Sequence, residues 1–89
     1  MAQPNKNLHK KLYRIYYTAY ESSVHEKVKE LIREKYGVEP KDIPSNVIPE
    51  FRFLEVPLPR EGLQKELEEL VQTTIGSKYV KVDWIDTEA

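Results

Sequence analysis

Arg14, Tyr16, Tyr20, Phe51, Phe53, Tyr79 and Lys81 are the residues of this 89-residue chain best suited to chemistry, and that chemistry is recognition. Rings bury large apolar area and stack on flat partners, while Lys or Arg beside them contacts carboxylates or phosphates. Lys10 and Lys11 join the set, so that residues 10–20 hold four of the six tyrosines with two lysines and an arginine. Tyrosine, phenylalanine and arginine are also enriched in protein interfaces. Two partner classes suit such a surface. One is a protein, including a second copy of the chain; the alternative is single-stranded nucleic acid.

Catalytic patterns are sparse by comparison. Gly37, Gly62 and Gly76 stand alone, so there is no glycine-rich phosphate loop. His9 and His25 are far apart and lack clustered acids, which is not a metal-ligand spacing. Ser22 and Ser23 precede a helical pattern and read as a cap, not as a nucleophile with its base. Asp83 and Asp86 would suit a divalent cation, but their place in an acidic C-terminal segment reads as a solvated tail. The expectation is a non-catalytic protein with no catalytic, cofactor-binding or metal-binding residues and no cofactor.

Composition narrows the setting. A hydrophobic content of 39% with 33% charged residues fits one folded domain with a modest core. No apolar run approaches the ~18 residues of a membrane span, so no membrane partner is expected. The chain has no cysteine, which excludes disulfides and suits a cytoplasmic location. Twelve glutamates and ten lysines lean towards a thermophile composition. The net charge of −1 hides an asymmetry. Residues 1–36 carry eight Lys/Arg against four Glu, or +4, and residues 37–89 carry six against eleven acids, or −5. Such a division suits an electrostatically oriented partner surface, including self-association.

These residues need elements to hold them. Residues 1–9 read as a disordered tail, 10–86 as a single domain and 87–89 as a short tail. The aromatic run from about Lys11 to Tyr20 suits a strand, with Tyr13, Ile15, Tyr17 and Ala19 facing the core and the even residues facing away. Ser23 and Glu26 have the spacing of a capping box. Val24, Val28, Leu31, Ile32 and Tyr36 then follow a helical period closed by Gly37. His25, beside that stripe, reads as a surface or packing residue. Phe51–Val56 predicts a second strand and Leu63, Leu67, Leu70, Val71 and Thr74 a second helix ended by Gly76. A Glu61–Lys65 pair is expected to support that helix. A final strand is expected over Lys78–Ile85.

The thirteen-residue link over 37–49 is long enough to climb the sheet, about 20 Å at ~3.3 Å per residue, and to enter the Phe51 strand from the far end. That makes this strand antiparallel to the first, with Val47-Ile48 as a short proline-flanked edge strand. The predicted fold class is an α+β two-layer sandwich, a split β-α-β (ferredoxin-like) arrangement with a degenerate second strand and two helices on one face. The alternative is a three-stranded parallel βαβαβ sheet.

Two helices cover only one face of a sheet. The open face would carry Arg14, Tyr16, Tyr20, Tyr79 and Lys81, with Phe51 and Phe53 there or, in the opposite facing, in the core. The Phe-x-Phe of Phe51–Phe53 and the aromatic first strand resemble the stacking strands of RNA-recognition domains, which share this element order. The resemblance covers architecture and three rings. The glycines and basic start of that family's signature are missing, and Glu50 and Glu55 flank the phenylalanines. The near-neutral charge and acidic second half favour a homo-oligomer or protein partner over nucleic acid.

Overall fold

A computed structural model describes residues 9–88, with side chains from Lys11 to Ile85. Its elements are β1 (His9–Thr18), α1 (Ser22–Tyr36), β2 (Lys41–Asp42), β3 (Phe51–Val56), α2 (Gln64–Ile75) and β4 (Val80–Glu88). The expected tail at residues 1–8 lies outside the described residues. His9 already belongs to β1, and Thr87 and Glu88 belong to β4.

The strands form one antiparallel sheet in the order β2-β3-β1-β4. β1 opposes β3 with Tyr16 across from Phe53, and opposes β4 with Tyr16 across from Lys81. Antiparallel pairing on both sides of β1 excludes the parallel βαβαβ alternative. The architecture is α+β, a four-stranded sheet with two helices packed on one face.

Strand parity explains the core. Tyr13, Ile15 and Tyr17 alternate to the helix side, where they meet Leu54 and Val56 of β3, Val28 and Ile32 of α1, and Leu67 and Val71 of α2. Tyr13, Ile15, Val28, Ile32, Leu54, Val56, Leu67 and Val71 are fully buried. Truncating a leucine in such a cluster costs about 2–5 kcal/mol, from lost transfer energy and an unfilled cavity. Val80, Val82 and Trp84 of β4 pack against the same cluster while keeping partial exposure.

Both helices stop where the sequence says. Gly37 and Gly76 take left-handed backbone angles, with φ of 69° and 72°, and return their N–H groups to Arg33 and Gln72. Their starts differ from expectation. Ser22 opens α1 and Glu21 is the N-cap, without a side-chain cap, so the Ser23–Glu26 capping box does not form. The carbonyl of Glu21 accepts the N–H groups of Val24 and His25, while Glu26 turns to Lys29 at 2.8 Å. α2 is capped from a distance. The buried hydroxyl of Tyr13 accepts the Leu63 N–H at 3.1 Å and donates to the Arg60 carbonyl. Glu61 lies ahead of this helix, so its expected pairing with Lys65 has no helical turn to span.

The edge strand is also displaced. Val47 is 86% exposed, and the segment that pairs with β3 is Lys41–Asp42, with the Ile43 N–H reaching the Phe53 carbonyl at 2.9 Å. Pro44 and Pro49 then carry the chain round without a continuous ladder, as prolines lack the donor a strand needs.

Candidate recognition face and a buried relay

Register assigns the face of β3. Because paired residues share a side of the sheet, Phe51, Phe53 and Glu55 lie with Thr18, Tyr16 and Arg14 on the side opposite the helices. Two rows cross that face. One runs Ile43–Phe53–Tyr16–Lys81, and the other Lys41–Glu55–Arg14–Asp83.

The first row is aromatic at its centre. The rings of Tyr16 and Phe53 stack at 4.7 Å between centroids and 14° between planes. The Lys81 ammonium lies 5.8 Å from the Tyr16 centroid, and the Arg14 guanidinium 5.8 Å from that of Phe53. Cations over ring faces are attracted by the ring quadrupole. Tyr16 is thus held between Phe53 on one neighbouring strand and Lys81 on the other. A groove of about 370 Å3 opens beside these rings, lined by Phe51, Phe53, Tyr16, Ile43, Tyr79 and Lys81 among others.

The second row alternates in sign. Arg14 Nε donates to Glu55 Oε2 at 3.1 Å, with Asp83 opposite it on β4. Lys81 lies 3.8 Å from Asp83. Arg14 and Lys81 therefore each have a carboxylate beside them.

The remaining residues singled out from sequence are only partly brought to this centre. Phe51 is 53% exposed at the start of β3. Tyr20 and Tyr79 are exposed just beyond β1 and just ahead of β4, and both border a second cavity of about 490 Å3 between the start of α1 and the end of α2. Lys10 is opposite Thr87 in register. Lys11, opposite Asp86, has the parity of Tyr13 and so belongs to the helix side of β1, away from Arg14.

A polar cluster on the helix side was not legible as a unit in the sequence. His25 is buried, with Nδ1 2.6 Å from the Tyr17 hydroxyl and Nε2 2.8 Å from Asp42 Oδ2. The Nε2–H tautomer satisfies both contacts, with Tyr17 donating to Nδ1 and His25 donating to the carboxylate. Lys29 completes the set, donating to Asp42 at 3.2 Å. Burial, followed by the nearby Asp42 charge, pushes the Tyr17 phenol far above the ordinary tyrosine range. Burial alone would raise Asp42, but hydrogen bonds from His25 and Lys29 outweigh it and hold the carboxyl below its usual value. The hydrogen bond to Glu26 is the main cause raising Lys29, with Asp42 adding to it against the effect of burial.

An Asp–His–hydroxyl chain resembles nucleophile activation, but the terminal hydroxyl here is on Tyr17, only 4% exposed and inside the core cluster. Its geometry serves to fasten β1, α1 and β2 together. No buried side-chain polar atom lacks a partner among the described residues, and no group of three or more His, Asp or Glu there could hold a metal ion. No described helix is long and apolar enough to cross a membrane.

No protein-family model, curated protein or solved structure matches the chain.

Proposed function

We propose that this chain is a non-catalytic binding or assembly module whose open sheet face takes a protein surface as its partner. The observation that carries the reading is the state of the cations and rings on that face. Arg14 is neutralised by Glu55 at 3.1 Å, Lys81 has Asp83 nearby, and the Tyr16 and Phe53 rings are stacked on each other. Phosphate binding would need an anion to settle beside the Glu55 carboxylate that already balances the Arg14 charge. Base stacking on the inner ring faces would need the Tyr16–Phe53 pair to part. A protein surface needs neither, since it can pack on ring edges and join the ion pairs.

The β-α-β-β-α-β order, with the first and third strands at the centre of an antiparallel sheet, supports the split β-α-β (ferredoxin-like) assignment as part of this proposal. A cytoplasmic location belongs to it too, on the cysteine-free composition.

The groove beside Phe51, Phe53 and Lys81 favours a second reading, as a platform for single-stranded nucleic acid. Fluorescence anisotropy of a labelled single-stranded oligonucleotide at low salt separates the two, because the electrostatic term is strongest there. The protein-surface reading expects no saturable binding. Saturable binding with a salt slope that falls by about 0.7 in Arg14→Gln, the loss of one phosphate contact, would establish the nucleic-acid reading instead.

A further inference from the structure

We infer that the occupant of the open face is a second copy of the chain, docked about a two-fold axis that runs parallel to the strands between β3 and β1. This rests on the reading of that face as a protein-binding surface. It follows from the order of charges across the sheet. From β2 to β4 the row is Lys41, Glu55, Arg14, Asp83, or plus, minus, plus, minus. A two-fold axis along the strands, midway between two facing sheets, returns each row over itself with its strand order reversed. Lys41 then faces the partner's Asp83, and Glu55 faces the partner's Arg14, so all four positions meet opposite charge. Reversal of an alternating row of four always gives this result, whereas a row such as plus, minus, minus, plus would meet itself like upon like.

The neighbouring row fits the same operation. Phe53 comes over the partner's Tyr16 and Tyr16 over the partner's Phe53, making a four-ring centre. Lys81 comes over the partner's Ile43, where its stem can cover the apolar side chain while its ammonium reaches the rim. Aligned packing of two sheets through such faces is an established geometry, with the interior about 10 Å thick. Desolvation of the inner pair is already under way in the single chain, because the Glu55 side chain is only 20% exposed and that of Arg14 37%. Joining the two Arg14–Glu55 pairs into a cluster of four charges adds attraction to ions that have shed part of their water.

The face is small: the strands hold 10, 2, 6 and 9 residues, or 27, which at ~4.8 Å by ~3.3 Å each give roughly 430 Å2 on each protomer and about 860 Å2 in all. That is the size of weak, transient contacts, so a dissociation constant no tighter than about micromolar is expected.

Charge exchange between two chains tests the axis directly. Arg14→Glu alone places like charges at two of the four positions, and so does Glu55→Arg alone. Mixed together, the two variants are complementary at every position. Sedimentation velocity should show wild-type self-association, at least a tenfold weakening in each single variant, and heterodimers in the mixture to within a few-fold of wild-type affinity. Lys41→Glu with Asp83→Lys makes the same exchange at the outer positions, and serves if reversal at the centre prevents folding. Self-association that both reversals leave unchanged would place the contact on another surface and overturn the inference. A wild-type monomer at ~1 mM, with no heterodimer in either mixture, would exclude the second copy altogether. The protein-surface reading would survive that result, since the oligonucleotide titration decides it separately.

Discussion

Tyr17 and His25 lie eight residues apart in sequence and 2.6 Å apart in space, hydroxyl to Nδ1, closing a relay that continues to Asp42 on the edge strand. The relay ties the central strand, the first helix and a two-residue strand that has little ladder of its own. Tyr17→Phe keeps the ring and leaves a buried ring nitrogen unpaired. The variant should lose about 1–3 kcal/mol of unfolding free energy in urea, the usual cost of an unsatisfied buried group. A loss within the error of wild type would show that the contact adds nothing to the fold.

Acid should loosen the same relay. The folded Asp42 carboxyl is held below its usual value, so the unfolded chain, with a carboxyl near 3.9, takes up the proton first. The contribution is therefore complete above about pH 5 and is lost as pH falls through the lowered folded value. Asp42→Asn should be less stable than wild type at neutral pH, with the gap narrowing below about pH 4. At the alkaline end the sign reverses. Tyr17 keeps its proton in the fold while the unfolded chain releases it near pH 10, so this stabilisation is present below about pH 10 and declines above it. Melting curves from pH 2 to 11 check both limbs; a gap between wild type and Asp42→Asn that widens in acid would contradict the assignment.

Tyr13 acts as a remote cap for α2, since its hydroxyl accepts the Leu63 N–H and donates to the Arg60 carbonyl. Tyr13→Phe should cost about 1–3 kcal/mol, through one buried amide and one carbonyl left without their partner. Hydrogen exchange should locate the loss at the first turn of α2. Uniform loss of protection across the sheet, with that turn unchanged, would contradict the capping role.

Ser23 offers the converse test. It has the sequence position of a cap, but α1 starts at Ser22 with Glu21 as N-cap. Ser23→Ala should therefore change stability by less than about 0.5 kcal/mol, where loss of a working cap costs ~1 kcal/mol. Denaturant midpoints with unchanged slope would read this directly, and a destabilisation of about 1 kcal/mol or more would restore the capping box.

Sequence legibility followed the range of the interactions. The parity of β1 could be read because each aromatic position reports its own face, and both helix ends could be read because Gly37 and Gly76 act locally. The facing of β3 could not, since Phe51–Val56 is apolar on both sides and only its register with Tyr16 decides. The edge strand leaves no such signal, because its two paired residues carry no period, while the apolar Val47-Ile48 imitates one. His25 reads in sequence as a surface or packing residue, and it is buried, but its place in the relay leaves no local signal. Its partner Asp42 is seventeen residues away, beyond any spacing that a helix or hairpin would bring together. The open face was legible as rings and cations, but Glu55 beside Arg14 was a feature of pairing and not of sequence neighbourhood.

Light scattering of the wild type across a concentration series, beside Phe53→Asp, tests the account most directly. Phe53 is on the open face and outside the core cluster, so the variant should fold while placing a carboxylate at the centre of the proposed contact. The wild-type mass should rise from 10.5 kDa towards twice that value through the micromolar range, and the variant should stay at 10.5 kDa. A wild type that remains at 10.5 kDa throughout, or a variant that associates equally well, would contradict it.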